Sequence, residues 1–116
     1  MASPEEVKDS IESFAQACNE NKRLGEMIRD WNRIIHIYAT DLNLDLTLIT
    51  NAGHVTEESK KPSTANLSIQ ATGELLTQIF YGEVSPNEPY NDGTLRVQGP
   101  ESDLLRLDFI TAMLWG

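Results

Sequence analysis

His36 is the residue best suited to proton transfer in this sequence of 116 residues. It sits in the apolar run Ile34-Ile35-His36-Ile37-Tyr38-Ala39, with Tyr38, Asp41 and Asp45 just downstream. A histidine beside a carboxylate is the common acid–base device near neutral pH. The competing reading, which the pattern favours, is a strand histidine hydrogen-bonded to its neighbours. His54 is the second histidine and Cys18 the one cysteine; they lie far apart, so a structural zinc site is not expected. Glu5-Glu6 and Glu57-Glu58 read as solvated faces, not as a working carboxylate pair. The chain has no Gly-rich phosphate loop, no Gly-x-Ser-x-Gly elbow and no His-Glu-x-x-His helix. No catalytic residue, metal or cofactor is expected, and the chain reads as a non-enzyme.

The elements that would position these residues are well punctuated. Ser3-Pro4-Glu5-Glu6 carries a cap, a first-turn proline and a capping-box glutamate, so a helix begins there. Val7, Ile11, Phe14, Ala15 and Cys18 recur at helical spacing and form one apolar stripe, which makes Cys18 a buried, inert thiol. A short second helix is expected over Leu24–Trp31, with Leu24, Met27, Ile28 and Trp31 inward. Strands follow at Ile34–Ala39, around Leu44, Leu46 and Leu48, and, across the Asn51-Ala52-Gly53 turn, near His54–Glu58. Leu67, Ile69 and Ala71 alternate with polar residues as a further strand. Thr72 caps a helix carrying Leu75, Leu76, Ile79 and Phe80. Gly82 ends that helix, and Pro86 and Pro89 keep the next segment from forming a long one. Asn91-Asp92-Gly93 is a turn, Thr94–Gln98 the last strand, and a final helix starts near Glu101 or Ser102. Hairpin-joined strands followed by helical crossovers describe an α+β fold, a five-stranded mixed sheet with helices packed on one face.

The final helix is unusual. From Leu104 to Trp115, apolar residues point in nearly every direction, and only Arg106, Asp108 and Thr111 interrupt them. A helix lying on a core needs one apolar stripe. The surplus has three readings: a helix sandwiched within the fold, a subunit interface, or a helix that closes on the sheet while lining a ligand cavity. Burying several hundred Å² of a lipid at roughly 25 cal/mol per Å² would support micromolar binding without a strong polar contact.

The ordered elements from Ala65 onward resemble the sterol carrier protein type 2 family. They are Ala65-Asn66-Leu67-Ser68-Ile69, Glu74-Leu75-Leu76, Gly82, Pro86, Tyr90, Gly93-Thr94-Leu95-Arg96-Val97-Gln98-Gly99 and Leu104-Leu105-Leu107. The resemblance implies a single lipid-binding domain over 1–116, with an apolar tunnel between the sheet and the later helices. It implies binding of sterols, fatty acids, fatty acyl-CoAs or phospholipids without catalysis. By position it makes Leu76, Ile79, Phe80, Leu105, Phe109 and Met113 the tunnel-lining candidates. Related domains also serve as accessory parts of enzymes such as alkyl sulfatases. The alternative is therefore a dimerisation or accessory module that offers hydrophobic substrate to a partner enzyme through the C-terminal helix.

Composition narrows the partners further. Nine Lys and Arg against eighteen Asp and Glu give a net charge of −9, which disfavours nucleic acid and anionic membrane surfaces. The start lacks the basic and apolar regions of a signal peptide, and no apolar stretch approaches the roughly 20 residues that span a bilayer. Met113-Leu114-Trp115-Gly116 is not a Ser-Lys-Leu address. A cytoplasmic protein without stable membrane insertion is expected.

Overall fold

Ser3 accepts a hydrogen bond from the Glu6 amide while Glu6 accepts from the Ser3 amide, so a complete capping box opens α1 (Pro4–Glu20). The computed structural model describes residues 1–115. The α1 stripe of Val7, Ile11, Phe14, Ala15 and Cys18 is buried as its spacing requires. Asn21 both ends α1 and caps α2 (Lys22–Met27) through its side chain. This second helix is shorter than expected and stops before Trp31. Leu24, Ile28 and Trp31 are buried, but Met27 is half exposed, because the chain leaves helical geometry at Ile28 and Met27 turns away from the core.

Five strands follow: β1 (Arg33–Ala39), β2 (Leu44–Asn51), β3 (His54–Glu58), β4 (Leu67–Ala71) and β5 (Arg96–Gln98). The sheet order is β3-β2-β1-β4-β5, antiparallel except for the parallel β1–β4 pair. That parallel neighbour must be reached by a crossover. The chain makes it after β3 with a loop that passes the outer face of the sheet, where the Thr47 hydroxyl donates to the Lys60 carbonyl at 2.6 Å. Asn66 then fastens the start of β4 to β1: its side chain accepts from the Ile34 amide and its own amide donates to the Ile34 carbonyl.

Alternation on the strands puts Ile35, Ile37, Ala39, Leu46, Leu48, Val55, Leu67, Ile69 and Ala71 on one buried face. The helices cover this face, with α1 packed against α3 (Gly73–Phe80) and against β2 and β3. The expected five-stranded mixed sheet with helices on one face is the observed fold. One element was not expected: Asn87–Asp92 forms a short helix, α4, that ends at Gly93 in the left-handed conformation with φ +87°. The glycine read as a turn residue is thus a helix terminator. The final helix, α5, spans Glu101–Trp115.

Candidate functional site

The acid–base candidates lie on the open face of the sheet. His36 Nε2 and Asp45 Oδ1 are 2.6 Å apart, and the Tyr38 hydroxyl donates to Asn43 at 2.7 Å. Asp41 does not join them; its carboxylate accepts from the Gly73 amide at 2.8 Å and so helps start α3. His36 and Tyr38 are thus each paired with a neighbour on a half-buried surface, and neither lines the cavity between the sheet and the later helices. Burial raises the Cys18 thiol to about 12, so it is no nucleophile at neutral pH. Among the described residues no three His, Cys, Asp or Glu are grouped to hold a metal ion.

A cavity of about 380 Å³ lies on the covered face, between the sheet, α3, α4 and α5. Its floor comes from Leu48, Ile69 and Val97 of the sheet and Phe14 of α1. One wall is the inner side of α3. Thr72 caps that helix by accepting from the Leu75 amide, which aims Leu76, Ile79 and Phe80 toward the sheet. Phe14 and Phe80 meet edge to face at 5.1 Å, and Phe14 lies 5.7 Å from Trp115, so one end of the cavity is aromatic. Gly82, with φ +79°, lets the chain turn after α3 and leaves room for the Trp115 ring, which would lie 2.5 Å from a Cβ at this position.

The opposite wall is α5, and its rotation is set by a buried anchor. Asp103, in the first turn, accepts from Trp31 Nε1 at 2.8 Å and from Arg33 Nε at 3.1 Å. Arg33 and Arg106 both lie over the Trp31 ring, and Arg106 also donates to the Met27 carbonyl. Burial by itself would raise the Asp103 carboxyl, but the hydrogen bonds from Arg33 and Trp31 and the two guanidinium charges hold it below the usual carboxylate range. At about 100° per residue, Asp103 and Ile110 fall on one line facing the core, and both are buried. Leu104, Asp108, Thr111 and Trp115 then form a neighbouring stripe about a quarter turn away, and all four line the cavity.

Of the six lining candidates, Leu76, Ile79, Phe80 and Leu105 line this cavity. Leu105 does so from the mouth, being 64% exposed. Phe109 and Met113 are not among the lining residues. Phe109 is 46% exposed on the outer side of α5, and Met113 packs against the core on the other flank of the anchored line. The candidates on α5 were spaced four apart from Leu105, whereas the facing stripe starts from Leu104. The facing stripe includes Asp108 and Thr111 and is the more polar of the two, so apolar spacing alone points to the other; the Asp103 anchor sets the phase. Asn87 and Tyr90 of α4 also line the cavity; neither is among the six candidates, because α4 is not expected from the sequence.

The apolar surplus of α5 is thus divided. One side meets the core, one faces the cavity, and Leu105 and Phe109 remain exposed. No described helix is long and apolar enough to cross a membrane.

Comparison with known proteins places this arrangement. No curated protein sequence matches the chain. The UbiJ-SCP2 ubiquinone synthesis protein superposes with a TM-score of 0.69 at 15% identity, covering 98% of this chain and 95% of that one. The sterol carrier protein domain 2 of Helicoverpa armigera does so with 0.69 at 16%, covering 99% and 94%. The inverting sec-alkylsulfatase Pisa1 from Pseudomonas sp. matches with 0.62 at 17%, over 79% of this chain, which spans only 14% of the sulfatase. At such identities these likenesses establish the fold. The sequence profile described as the SCP-2 sterol transfer family matches residues 14–109, and the chain belongs to that family.

Proposed function

We propose that this chain is a non-catalytic lipid-binding domain that holds a hydrophobic molecule of sterol or acyl-chain type in the cavity between the sheet, α3 and α5. The observation that carries the reading is the cavity itself. A well-packed core leaves few voids larger than a water molecule, yet here about 380 Å³ stays open beneath two helices, walled mainly by Leu, Ile, Val, Phe and Trp side chains. That volume falls within the range of small-molecule sites. Membership of the family supports the same reading, since its domains generally bind lipid without catalysis. Leu76, Ile79, Phe80 and Leu105 are the proposed ligand contacts, joined by Leu104, Leu107 and Trp115. Phe109 and Met113, also proposed from the sequence, would touch ligand only if α5 rotated or a ligand extended past it.

The domain works on its own as a cytoplasmic carrier in this reading. A second reading is favoured by the exposed Leu105 and Phe109 on α5 and by the sulfatase in which a matching region is a small part of a larger chain. There the domain would dimerise or dock on an enzyme and present hydrophobic substrate to it. Native mass spectrometry of gently purified protein, followed by solvent extraction, tests both. A stoichiometric sterol, acyl chain or other lipid is expected. A ligand-free dimer would overturn the carrier reading and favour the interaction module.

A further inference from the structure

The charge around the cavity mouth restricts what the cavity accepts. Of its lining residues, two are ionisable at neutral pH, and both are acidic: Glu101 and Asp108, on one side of α5 and both exposed. Among the described residues no Lys, Arg or His lines it. The remaining polar groups there are uncharged: Asn87 and Tyr90 on α4 and Thr111 on α5. A chain buried in the apolar interior leaves its polar end at this rim. An anionic end would meet two carboxylates there, with no cation among the lining residues, in a chain of net charge −9. A hydroxyl or carbonyl end would meet hydrogen-bonding partners without that repulsion.

Building on the lipid-binding reading above, we infer that the cavity selects hydrophobic molecules with an uncharged polar end, such as alcohols, sterols or ketones, over those ending in a carboxylate or phosphate. Glu101 and Asp108 set this selectivity by repulsion. Arg33 and Arg106, at the first turns of α5, are committed to Asp103, Trp31 and the Met27 carbonyl, and neither they nor Arg96 of β5 are among the lining residues.

The test is displacement of a neutral fluorescent probe, N-phenyl-1-naphthylamine, from the full chain at low ionic strength and pH 7.5. The competitors are dodecan-1-ol and dodecanoate, which share one chain and differ in the charge of the end group. Dodecan-1-ol is expected to displace the probe at a concentration about tenfold lower than dodecanoate does. In the Glu101→Gln, Asp108→Asn double variant this gap should shrink to about threefold or less, through stronger binding of dodecanoate. Both positions are exposed, and each replacement is nearly isosteric, so the fold is retained. Equal or tighter binding of dodecanoate to the unaltered chain overturns the inference while leaving the lipid-binding reading intact. A gap that persists in the double variant also overturns it, because the discrimination would then come from desolvating the carboxylate and not from the rim. If neither the probe nor either competitor binds, both the inference and the lipid-binding reading fall.

Discussion

Replacing Asp103 with alanine isolates the contact that orients α5. The Asp103 side chain is 5% exposed and accepts hydrogen bonds from Trp31 and Arg33, which lie about seventy residues earlier in the chain. Hydrogen bonds to a charged group are each worth about 1.5–3 kcal/mol. The Trp31 N–H is buried and would be left without its acceptor, so its share stays near the upper part of that range. The Arg33 side chain is 32% exposed and can regain water, so its share lies at the lower end. The first-turn carboxylate also loses about 0.5 kcal/mol of helix-dipole stabilisation. The expected cost is about 4–5 kcal/mol by urea denaturation at pH 7, within the range for opening a buried pair. A double-mutant cycle with Trp31→Phe should show a coupling of about 1 kcal/mol, because the phenylalanine no longer needs the acceptor. The pH dependence is a further check. The folded carboxyl titrates below its unfolded value of about 3.9, so its contribution is full above that pH and is lost as pH falls through the folded value. The stability gap between the unaltered chain and Asp103→Asn should therefore narrow below about pH 4. A cost under about 1 kcal/mol, additive single variants or a gap independent of pH would each refute the anchor.

Two glycines with similar backbones separate strain from collision. Gly93 has φ +87° and nothing within 4 Å of a Cβ, so Gly93→Ala should cost only the left-handed strain, about 1–2 kcal/mol. Gly82→Ala adds a clash with the Trp115 ring and should cost about 1 kcal/mol more, with a shift in tryptophan emission; equal costs would show that Trp115 does not rest on Gly82. Cys18, buried and raised to about 12, should resist a disulfide reagent at pH 8 in the native state and react fully in denaturant. Rapid native labelling would contradict its placement on the inner side of α1.

Much of this architecture was readable because its signals are local. The capping box at Ser3, the α1 stripe, the alternation in β2 and β4 and the Thr72 cap each depend on residues within a turn or two of one another. α4 is not legible in the sequence because its six residues include Pro89 and lack a side-chain cap, which leaves Glu88 in the first turn as a weak starting signal. The α3 half of the cavity was legible for the same local reason, as its amphipathic stripe admits one orientation. The α5 half was not. With apolar residues on nearly every side, that helix carries no internal record of which side faces inward, and a choice of phase moved Phe109 and Met113 off the cavity and brought in Leu104, Asp108, Thr111 and Trp115.

What the sequence by itself determined was every element but α4, the sheet's buried face and the apolar character of whatever α5 covers. These follow from hydrogen bonding and periodic burial within each segment. The tertiary structure alone decided that a void remains, which side of α5 borders it and that two carboxylates stand at its mouth. Those properties depend on contacts such as Trp31–Asp103 and Gly82–Trp115, between residues far apart in the chain, where geometry and not the local apolar pattern selects the inward face.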